Sequence, residues 1–125
     1  MAIRPKRKTL ALISHDGKKA DMVAFVMDHK ERLREFDLVA TGTTGTLIKD
    51  KTGLDVRCVL SGPYGGDAQI AGLVAEERVN AVFFFLDPLG KHPHDPDIQG
   101  LLRICNVHNV PLATNIATAV LLINA

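Results

Sequence analysis

The sequence has few cysteines, and nothing in their placement predicts a metal site or a disulfide framework. Cys58 and Cys105 are the two present, and both lie inside predicted apolar elements, where reduced cysteine packs as a small hydrophobic side chain. No second thiol or histidine stands at ligand spacing from either residue, so neither a disulfide nor a metal role is expected. This cysteine usage predicts a reducing compartment, the cytoplasm.

A strong excess of charge is also missing. Lys and Arg number 15 and Asp and Glu number 14, which gives a net charge of +1 at pH 7. This balance argues against bulk attraction to nucleic acid or to a membrane surface. No apolar run approaches the ~18 residues that a membrane-spanning helix requires. The basic start, residues 1–8, lacks the long apolar stretch of a signal peptide and is predicted to be a solvated tail.

No internal repeat, linker or low-complexity segment divides the chain. Its 125 residues are 46% hydrophobic and 23% charged, which is typical of a globular fold. A chain of this length can build one sizeable core. We therefore predict a single domain over residues 1–125.

Apolar, β-branched-rich runs alternate with amphipathic segments along the whole sequence. The apolar runs predict strands over 9–14, 37–40, 56–60, 79–86 and 110–114. The amphipathic segments predict helices over 18–34, 44–51, 67–77 and 117–123, and a further helix that starts at Pro96. Gly53 is the expected C-terminal cap of the helix over 44–51, and Asp95 is the expected N-cap of the helix that starts at Pro96. Five β-α units of this kind predict an α/β fold, a three-layer αβα sandwich around a five-stranded, doubly wound parallel sheet. The run over 79–86 is the most apolar, and we expect it at the sheet centre.

Four polar loops follow four of these apolar runs. They read Ser14-His15-Asp16-Gly17-Lys18-Lys19, Thr41-Gly42-Thr43-Thr44-Gly45, Ser61-Gly62-Pro63-Tyr64-Gly65-Gly66-Asp67 and His92-Pro93-His94-Asp95-Pro96-Asp97. Loops at the carboxyl ends of parallel strands converge on one crevice. Their hydroxyls, flexible amides and lysine suit a phosphorylated small molecule, and their histidines and carboxylates could move its protons.

The threonine-rich loop, 41–45, links a predicted strand to a predicted helix. Glycine allows close backbone approach to an anion, and the helix start offers unpaired N–H groups and a positive dipole end. A tight turn with a threonine N-cap explains the same residues without a ligand. The loop matches neither a Walker motif nor a GxGxxG fingerprint, which disfavours a dinucleotide oxidoreductase.

Single residues in two other loops allow a structural and a functional interpretation. Asp67 is either a common N-cap or a base on a rigid element, and the glycines before it permit unusual backbone angles. Lys19, in the first helical turn, opposes the helix dipole unless an anionic ligand is bound. His15 caps strand carbonyls or donates a hydrogen bond to substrate.

The loop over 92–97 contains histidines, carboxylates and prolines in close succession. A metal site is disfavoured because the prolines stiffen the segment and no further cluster completes a tetrahedral shell. Two interpretations stay open at this point. The loop is a polar helix start, or it is proton-transfer machinery with a histidine electrophile beside carboxylates.

Taken in order, four segments resemble methylglyoxal synthase. They are Ala40-Thr41-Gly42-Thr43-Thr44-Gly45, Leu60-Ser61-Gly62-Pro63-Tyr64-Gly65-Gly66-Asp67, Asp87-Pro88-Leu89 and Pro93-His94-Asp95-Pro96-Asp97. The resemblance covers essentially the whole chain. It implies conversion of dihydroxyacetone phosphate to methylglyoxal and inorganic phosphate by a cytoplasmic homohexamer. It implies no metal or organic cofactor, and no nucleic-acid or membrane partner.

The resemblance also implies roles for individual residues. Asp67 matches the catalytic base, His94 the histidine that contacts the reacting oxygens, and Asp97 the second active-site carboxylate. The residues that match the substrate and phosphate cradle are His15, Lys19, Thr41, Gly42, Thr43, Thr44, Ser61 and Gly62. Those that match supporting positions are Asp16, Gly66, Asp87 and Arg103, the last at a subunit boundary.

Two features depart from the family pattern. Tyr64 stands where Met or Leu is more usual. Family members generally continue past residue 125. Their C-terminal segment, which is implicated in communication between subunits, has no counterpart in this sequence. The resemblance therefore does not extend to cooperative regulation.

A regulatory binding module of the same fold is the alternative function. The chain is also similar to the regulatory domain of carbamoyl phosphate synthetase and to the inosine monophosphate cyclohydrolase domain. Such modules keep an anion cradle but do not need Asp67, His94 and Asp97 together. The presence of all three favours the enzyme.

Overall fold

Five apolar segments form one parallel sheet in the computed structural model, which describes residues 7–92 and 94–125. The strands are β1 (Thr9–Ser14), β2 (Asp37–Thr41), β3 (Val56–Val59), β4 (Ala81–Phe85) and β5 (Leu112–Ala113). Their order across the sheet is β3-β2-β1-β4-β5. The chain therefore starts at the central strand and winds outward in both directions, as the doubly wound prediction requires.

Six α-helices cover the two faces of this sheet. They are α1 (Lys19–Asp28), α2 (Lys30–Leu33), α3 (Gly42–Thr52), α4 (Gly66–Ala75), α5 (Asp95–Val107) and α6 (Ile116–Ile123). One hydrophobic core joins the sheet to α1, α2, α3 and α6, and a second joins it to α4 and α5. The predicted three-layer αβα sandwich is confirmed. No helix in the described part of the chain is long and apolar enough to cross a membrane.

The phenylalanine run of β4 explains how both cores are filled. Phe83 and Phe85 belong to the core beneath α1, whereas Phe84 belongs to the core beneath α4 and α5. All three are almost completely buried. Successive side chains of a strand point to opposite faces, so a strand between two helical layers needs a continuous apolar run.

The position of β4 corrects one expectation. It pairs with β1 on one side and β5 on the other, while β1 is the strand at the sheet centre. Burial on both faces makes a strand apolar wherever it lies inside the sheet, so hydropathy alone does not fix its lateral place. The single helix expected over 18–34 is also divided, because the backbone at His29 (φ −120°) leaves helical geometry between α1 and α2.

Several helix starts and ends differ from the prediction in ways that affect the site. The third helix begins at Gly42, which makes Thr41 its N-cap, and ends as predicted at Gly53, whose φ of 74° suits glycine. The expectation of Asp95 as an N-cap is wrong. That residue is the first of α5 and His94 is the N-cap, so Pro96 occupies the second helical position.

The cysteines and the described end of the N-terminal tail differ in part from expectation. Cys105 is buried, and burial raises the pKa of its thiol to about 11. Cys58 is exposed, because it lies on the edge strand β3. The predicted tail, 1–8, falls mostly outside the described residues. Its Arg7 is not purely solvated, since it donates a hydrogen bond of 2.7 Å to the Phe36 carbonyl and pairs with Asp37 at 3.2 Å.

Candidate active site

A cavity of about 220 Å³ opens where the four polar loops meet. All four contribute to its wall, as expected for loops at the carboxyl ends of parallel strands. The lining residues are Ile13, Ser14, His15, Asp16, Lys19, Thr41, Thr43, Thr44, Ser61, Gly62, Pro63, Tyr64, Asp67, His92 and His94. Ten of the residues singled out from the sequence therefore share one small volume.

The start of α3 forms one side of the cavity. Thr41 is the N-cap, yet its side chain makes no capping hydrogen bond. A Cβ atom on Gly42 would lie 3.1 Å from both the Ser61 Oγ and the Val59 carbonyl, so glycine is needed for this close approach. The N–H groups of the first helical turn, including that of Thr43, have no carbonyl partner within the helix. They and the helix dipole suit an anion.

Hydroxyl groups from neighbouring loops are linked across this side. The Thr43 Oγ1 lies 3.1 Å from the Ser61 Oγ. The buried Ser14 Oγ lies 3.0 Å from the Thr44 Oγ1. These contacts fix the hydroxyls of three loops relative to one another before any ligand is bound.

Among the described residues that line the cavity, Lys19 is the one lysine or arginine. It is the first residue of α1, and its side chain is 17% exposed. It pairs with Asp16, and the hydrogen bond and charge of Lys19 hold the pKa of that carboxyl below its usual value. A cation at a helix start opposes the dipole, and an anionic ligand removes this conflict.

Asp67 is completely buried at the second position of α4. Neither carboxylate oxygen has a hydrogen-bond partner among the described residues. Burial raises the pKa of Asp67 above its usual value; the charge of His94 opposes this rise, and the charge of Asp97 adds to it. A buried carboxylate that accepts no hydrogen bond from the described residues is a stronger base, once ionised, than an exposed one.

Two glycines set the backbone path that places Asp67 in the cavity wall. Gly65 has a φ of 102°, in the region that favours glycine. A Cβ on Gly66 would lie 1.8 Å from the Leu60 carbonyl oxygen, so no side chain fits there. Its N–H donates to the Ser61 carbonyl at 3.1 Å. The Gly66 N–H is therefore used within the turn, and the residue shapes the backbone path.

His94 lies directly against the buried carboxylate. Its Nε2 is 3.1 Å from Asp67 Oδ2, although the ring N–H does not align well enough to form a hydrogen bond. A Cβ on Gly62 would lie 2.8 Å from this Nε2 and 3.2 Å from Oδ2. Glycine at this position therefore leaves the space in which base and imidazole meet. The His94 Nδ1 is buried without a partner among the described residues.

His15 is held as a neutral imidazole at the end of β1. Its Nδ1 accepts a hydrogen bond of 2.8 Å from the Asp87 N–H, so the ring proton is on Nε2. Burial and the charges of His92 and His94 lower the pKa of His15 to about 4. The buried Nε2 has no partner in the described part of the chain. The ring also meets Phe84 edge-on, with 5.1 Å between the ring centroids.

Five residues singled out from the sequence do not line the cavity. Gly42 and Gly66 shape the loops, and Asp87 reaches the site through its backbone N–H on His15. Asp97 lies partly buried in the first turn of α5, where its charge acts on Asp67. Arg103 is exposed on α5.

Sequence reasoning did not single out five lining residues as site residues, and they are Ile13, Ser14, Pro63, Tyr64 and His92. Four of them had a signal, because they lie in the polar loops; Ile13 had none, since it belongs to the apolar run before the first loop. Within residues 7–92 and 94–125, no group of three or more His, Cys, Asp or Glu side chains is arranged to hold a metal ion.

Comparison with known proteins shows the family of this chain. A family model described as an MGS-like domain matches residues 21–114. The methylglyoxal synthase of Ralstonia nicotianae is 56% identical over 92% of this chain and 85% of its own length. That of Thermus thermophilus is 59% identical over 93% of this chain and 92% of its own. The chain belongs to the methylglyoxal synthase family.

A solved structure supports the same family membership at the level of the fold. The crystal structure of methylglyoxal synthase from Elizabethkingia anophelis superposes with a TM-score of 0.91 at 44% identity, and covers 97% of this chain and 80% of that one. The family match begins at residue 21, after His15 and Lys19. The methylglyoxal synthase relatives align over at least nine tenths of the chain and extend the similarity beyond that match.

Proposed function

We propose that this chain is a methylglyoxal synthase, a carbon–oxygen lyase that converts dihydroxyacetone phosphate to methylglyoxal and inorganic phosphate. One observation carries the proposal. A buried carboxylate without a hydrogen-bond partner, Asp67, shares a cavity of about 220 Å³ with an anion cradle of hydroxyls, helix N–H groups and Lys19. Membership of the methylglyoxal synthase family supports this substrate and this reaction.

Asp67 is the proposed general base. The reaction begins when a proton leaves the hydroxymethyl carbon beside the ketone, and the electron pair forms an enediolate. The raised pKa of Asp67 makes its carboxylate a better proton acceptor than an exposed aspartate. The helix position of the residue, fixed by the two preceding glycines, holds the base rigidly against the substrate carbon.

His15 and His94 are proposed to stabilise the negative charge that builds on the enediolate oxygens. His15 carries its proton on Nε2, and that nitrogen has no partner among the described residues. His94 lies beside the base at 3.1 Å. Hydrogen bonds to developing charge inside a small cavity lower the barrier more than they would in water.

The cradle is proposed to decide which product forms. Phosphate leaves only when its C–O bond lies parallel to the enediolate π system, because the electrons that break this bond come from that system. Fixed hydroxyls at Thr43 and Ser61, together with Lys19, hold the phosphate in one orientation. The enol that remains then takes up a proton and becomes methylglyoxal.

Asp97 is proposed as the second carboxylate of the site. Its charge helps to raise the pKa of Asp67 and so favours the protonated form of that residue. Once Asp67 has taken the proton from carbon, it is the proposed acid of the site. The proton removed from carbon can therefore return to an oxygen or a carbon within the same site.

A direct assay tests the proposal. The purified chain is incubated with dihydroxyacetone phosphate, and released phosphate and dicarbonyl product are both measured. We expect equal amounts of the two, and we expect Asp67→Asn to lose about 10²–10⁴-fold of the turnover. Phosphate binding without turnover would identify a binding module instead. An Asp67→Asn protein that keeps most of the activity would remove the base assignment.

The homohexamer and the cytoplasmic location implied by the resemblance are part of the same proposal. Light scattering on the full chain tests the first, with six chains per particle as the expected result. Exposed apolar side chains on α6, Leu121 at 75% and Leu122 at 38%, are consistent with burial against another chain. Arg103, exposed on α5, is the proposed residue at a subunit boundary.

A further inference from the structure

His92 lies against a residue of the proposed site but has no role in the mechanism so far. Its ring stacks on that of His15 with 3.5 Å between the ring centroids and 24° between the ring planes. Its Nε2 is buried and has no hydrogen-bond partner among the described residues. A histidine placed for its polarity alone would be expected to use such a buried nitrogen. The role of His92 is therefore sought in the contact that the face of its ring makes with His15.

The turn over 87–90 lies close to the Nε2–Cε1 edge of the His92 ring. The Leu89 N–H donates to Asp87 Oδ1 at 3.0 Å, and the Gly90 N–H donates to the Asp87 carbonyl at 3.3 Å. A Cβ on Gly90 would lie 3.0 Å from the His92 Nε2. The imidazole of His92 thus has two close neighbours, a tight turn and the ring of His15.

The same turn fixes the protonation of His15. Its Nδ1 accepts the Asp87 N–H at 2.8 Å. A second proton on the ring would have to occupy Nδ1 and would then face another donor. The geometry accommodates only the neutral ring with its proton on Nε2, provided that the ring cannot rotate away from Asp87.

We propose that His92 is a positioning residue, whose ring packs over His15 and keeps it a neutral donor with Nε2–H available to the substrate oxygen. This inference rests on the proposed function for its catalytic meaning. Its physical content, the tautomer and charge of His15, is measurable without substrate.

Several charged groups face His15 and bear on its titration. They are His92, His94, Asp87, Lys19 and Asp16. Burial has the largest effect and lowers the pKa of His15, followed by the charge of His92. His92 contributes to the burial of His15, because its ring excludes water from one face of the His15 ring. It also contributes to the charge effect, because its protonated form repels a proton on His15.

A matched pair of variants separates the packing from the charge. His92→Phe keeps a flat ring over His15 and removes the titratable group. His92→Ala removes both. His108→Ala, an exposed residue that follows α5, is the control. Long-range proton–nitrogen NMR spectra of the histidine-labelled full chain report the tautomer and titration of His15, and kcat/KM is measured over the same pH range.

In His92→Ala we expect His15 to titrate about one pH unit higher than in the parent and to populate both tautomers. We expect kcat/KM at pH 4 to fall about fivefold relative to the parent at the same pH, with a much smaller loss at pH 8. His92→Phe should retain the Nε2–H tautomer and show a smaller change in titration. His108→Ala should match the parent in every measurement.

The outcomes distinguish this inference from the proposed function. If His15 in folded His92→Ala keeps the parent's tautomer and titrates within about 0.3 pH unit of it, the positioning role is wrong, whatever the activity. If His92→Ala loses as much activity at pH 8 as at pH 4, the loss is structural and the inference is overturned. If the parent does not turn over dihydroxyacetone phosphate but His15 behaves as expected, the proposed function fails and the positioning of His15 stands.

Discussion

The Nε2 atom of His94 lies 3.1 Å from the Oδ2 atom of Asp67, a carboxylate with no exposed surface. No donor in the described part of the chain forms a hydrogen bond to either of its oxygens. An ionised carboxylate in such a place destabilises the folded protein and is for the same reason a stronger base. Stability and activity are therefore expected to change in opposite directions at this residue.

Asp67→Asn should make the protein more stable while it abolishes turnover. We expect a gain of about 1–2 kcal/mol in the free energy of unfolding at pH 8, measured by urea denaturation. Because the folded-state pKa of Asp67 is raised above the usual 3.8, the parent loses stability as the pH rises from that value through the folded-state pKa. The extra stability of Asp67→Asn over the parent should therefore vanish near pH 3.8 and reach its full size at alkaline pH. Equal unfolding curves at pH 8 would contradict this account.

Asp97→Asn should move the acid limb of kcat/KM to lower pH. The charge of Asp97 helps to raise the pKa of Asp67, so its removal lets the base ionise earlier as the pH rises. Asp95→Asn is the matched control, since Asp95 is an exposed carboxylate two residues earlier in the same helix. The pH profile of the control should overlay that of the parent. An unchanged limb in Asp97→Asn would show that the two carboxylates do not interact.

Thr43→Val should weaken phosphate binding by about 1–3 kcal/mol, because a hydroxyl that can donate to a charged ligand is lost. Isothermal calorimetry with inorganic phosphate measures this directly. Thr46→Val is the control: Thr46 lies in the same helix, and its hydroxyl donates to the Gly42 carbonyl at 2.9 Å instead of lining the cavity. Equal affinities in the Thr43 variant and the parent would place the anion elsewhere.

Gly62→Ala should reduce kcat about 10²-fold without loss of the fold. The added methyl would lie 2.8 Å from the His94 Nε2, so this side chain has to move away from Asp67. Gly72→Ala is the control, because nothing lies within 4 Å of its added methyl in α4. It should keep its kcat and gain about 0.5–1 kcal/mol in stability. Full activity in Gly62→Ala would mean that His94 need not stay beside the base.

The fold could be predicted because each layer leaves its own pattern in the sequence. A strand covered on both faces must be apolar throughout, as β4 is with its three phenylalanines, and each covering helix must have one apolar side. The lateral order of the strands leaves no such local pattern, so the central place of β1 and the inner but off-centre place of β4 were not predictable. The break at His29 was not predictable either, because neither a proline nor a glycine marks it in the sequence.

The candidate site could be predicted only where the side chain itself has the relevant chemistry. Asp67, His94 and Lys19 carry charge or protons, and the loops that contain them follow strands that end at one edge. Asp87 acts through its backbone N–H, which every residue except proline possesses. His92 acts through the flat face of its ring on a residue far away in the sequence. Neither contribution can be inferred from residue type and spacing.

The edge-on contact between Phe84 and His15 has a consequence for redesign of the protein interior. Phe84 belongs to the hydrophobic layer beneath α4 and α5, so this layer supports a ring of the candidate site directly. Phe83 and Phe85, on the opposite layer, pack against Phe25 instead. Substitutions in the first layer are thus expected to disturb the His15 ring itself, whereas those in the second reach the site only through α1 and α3, the helices that carry Lys19 and the threonine hydroxyls.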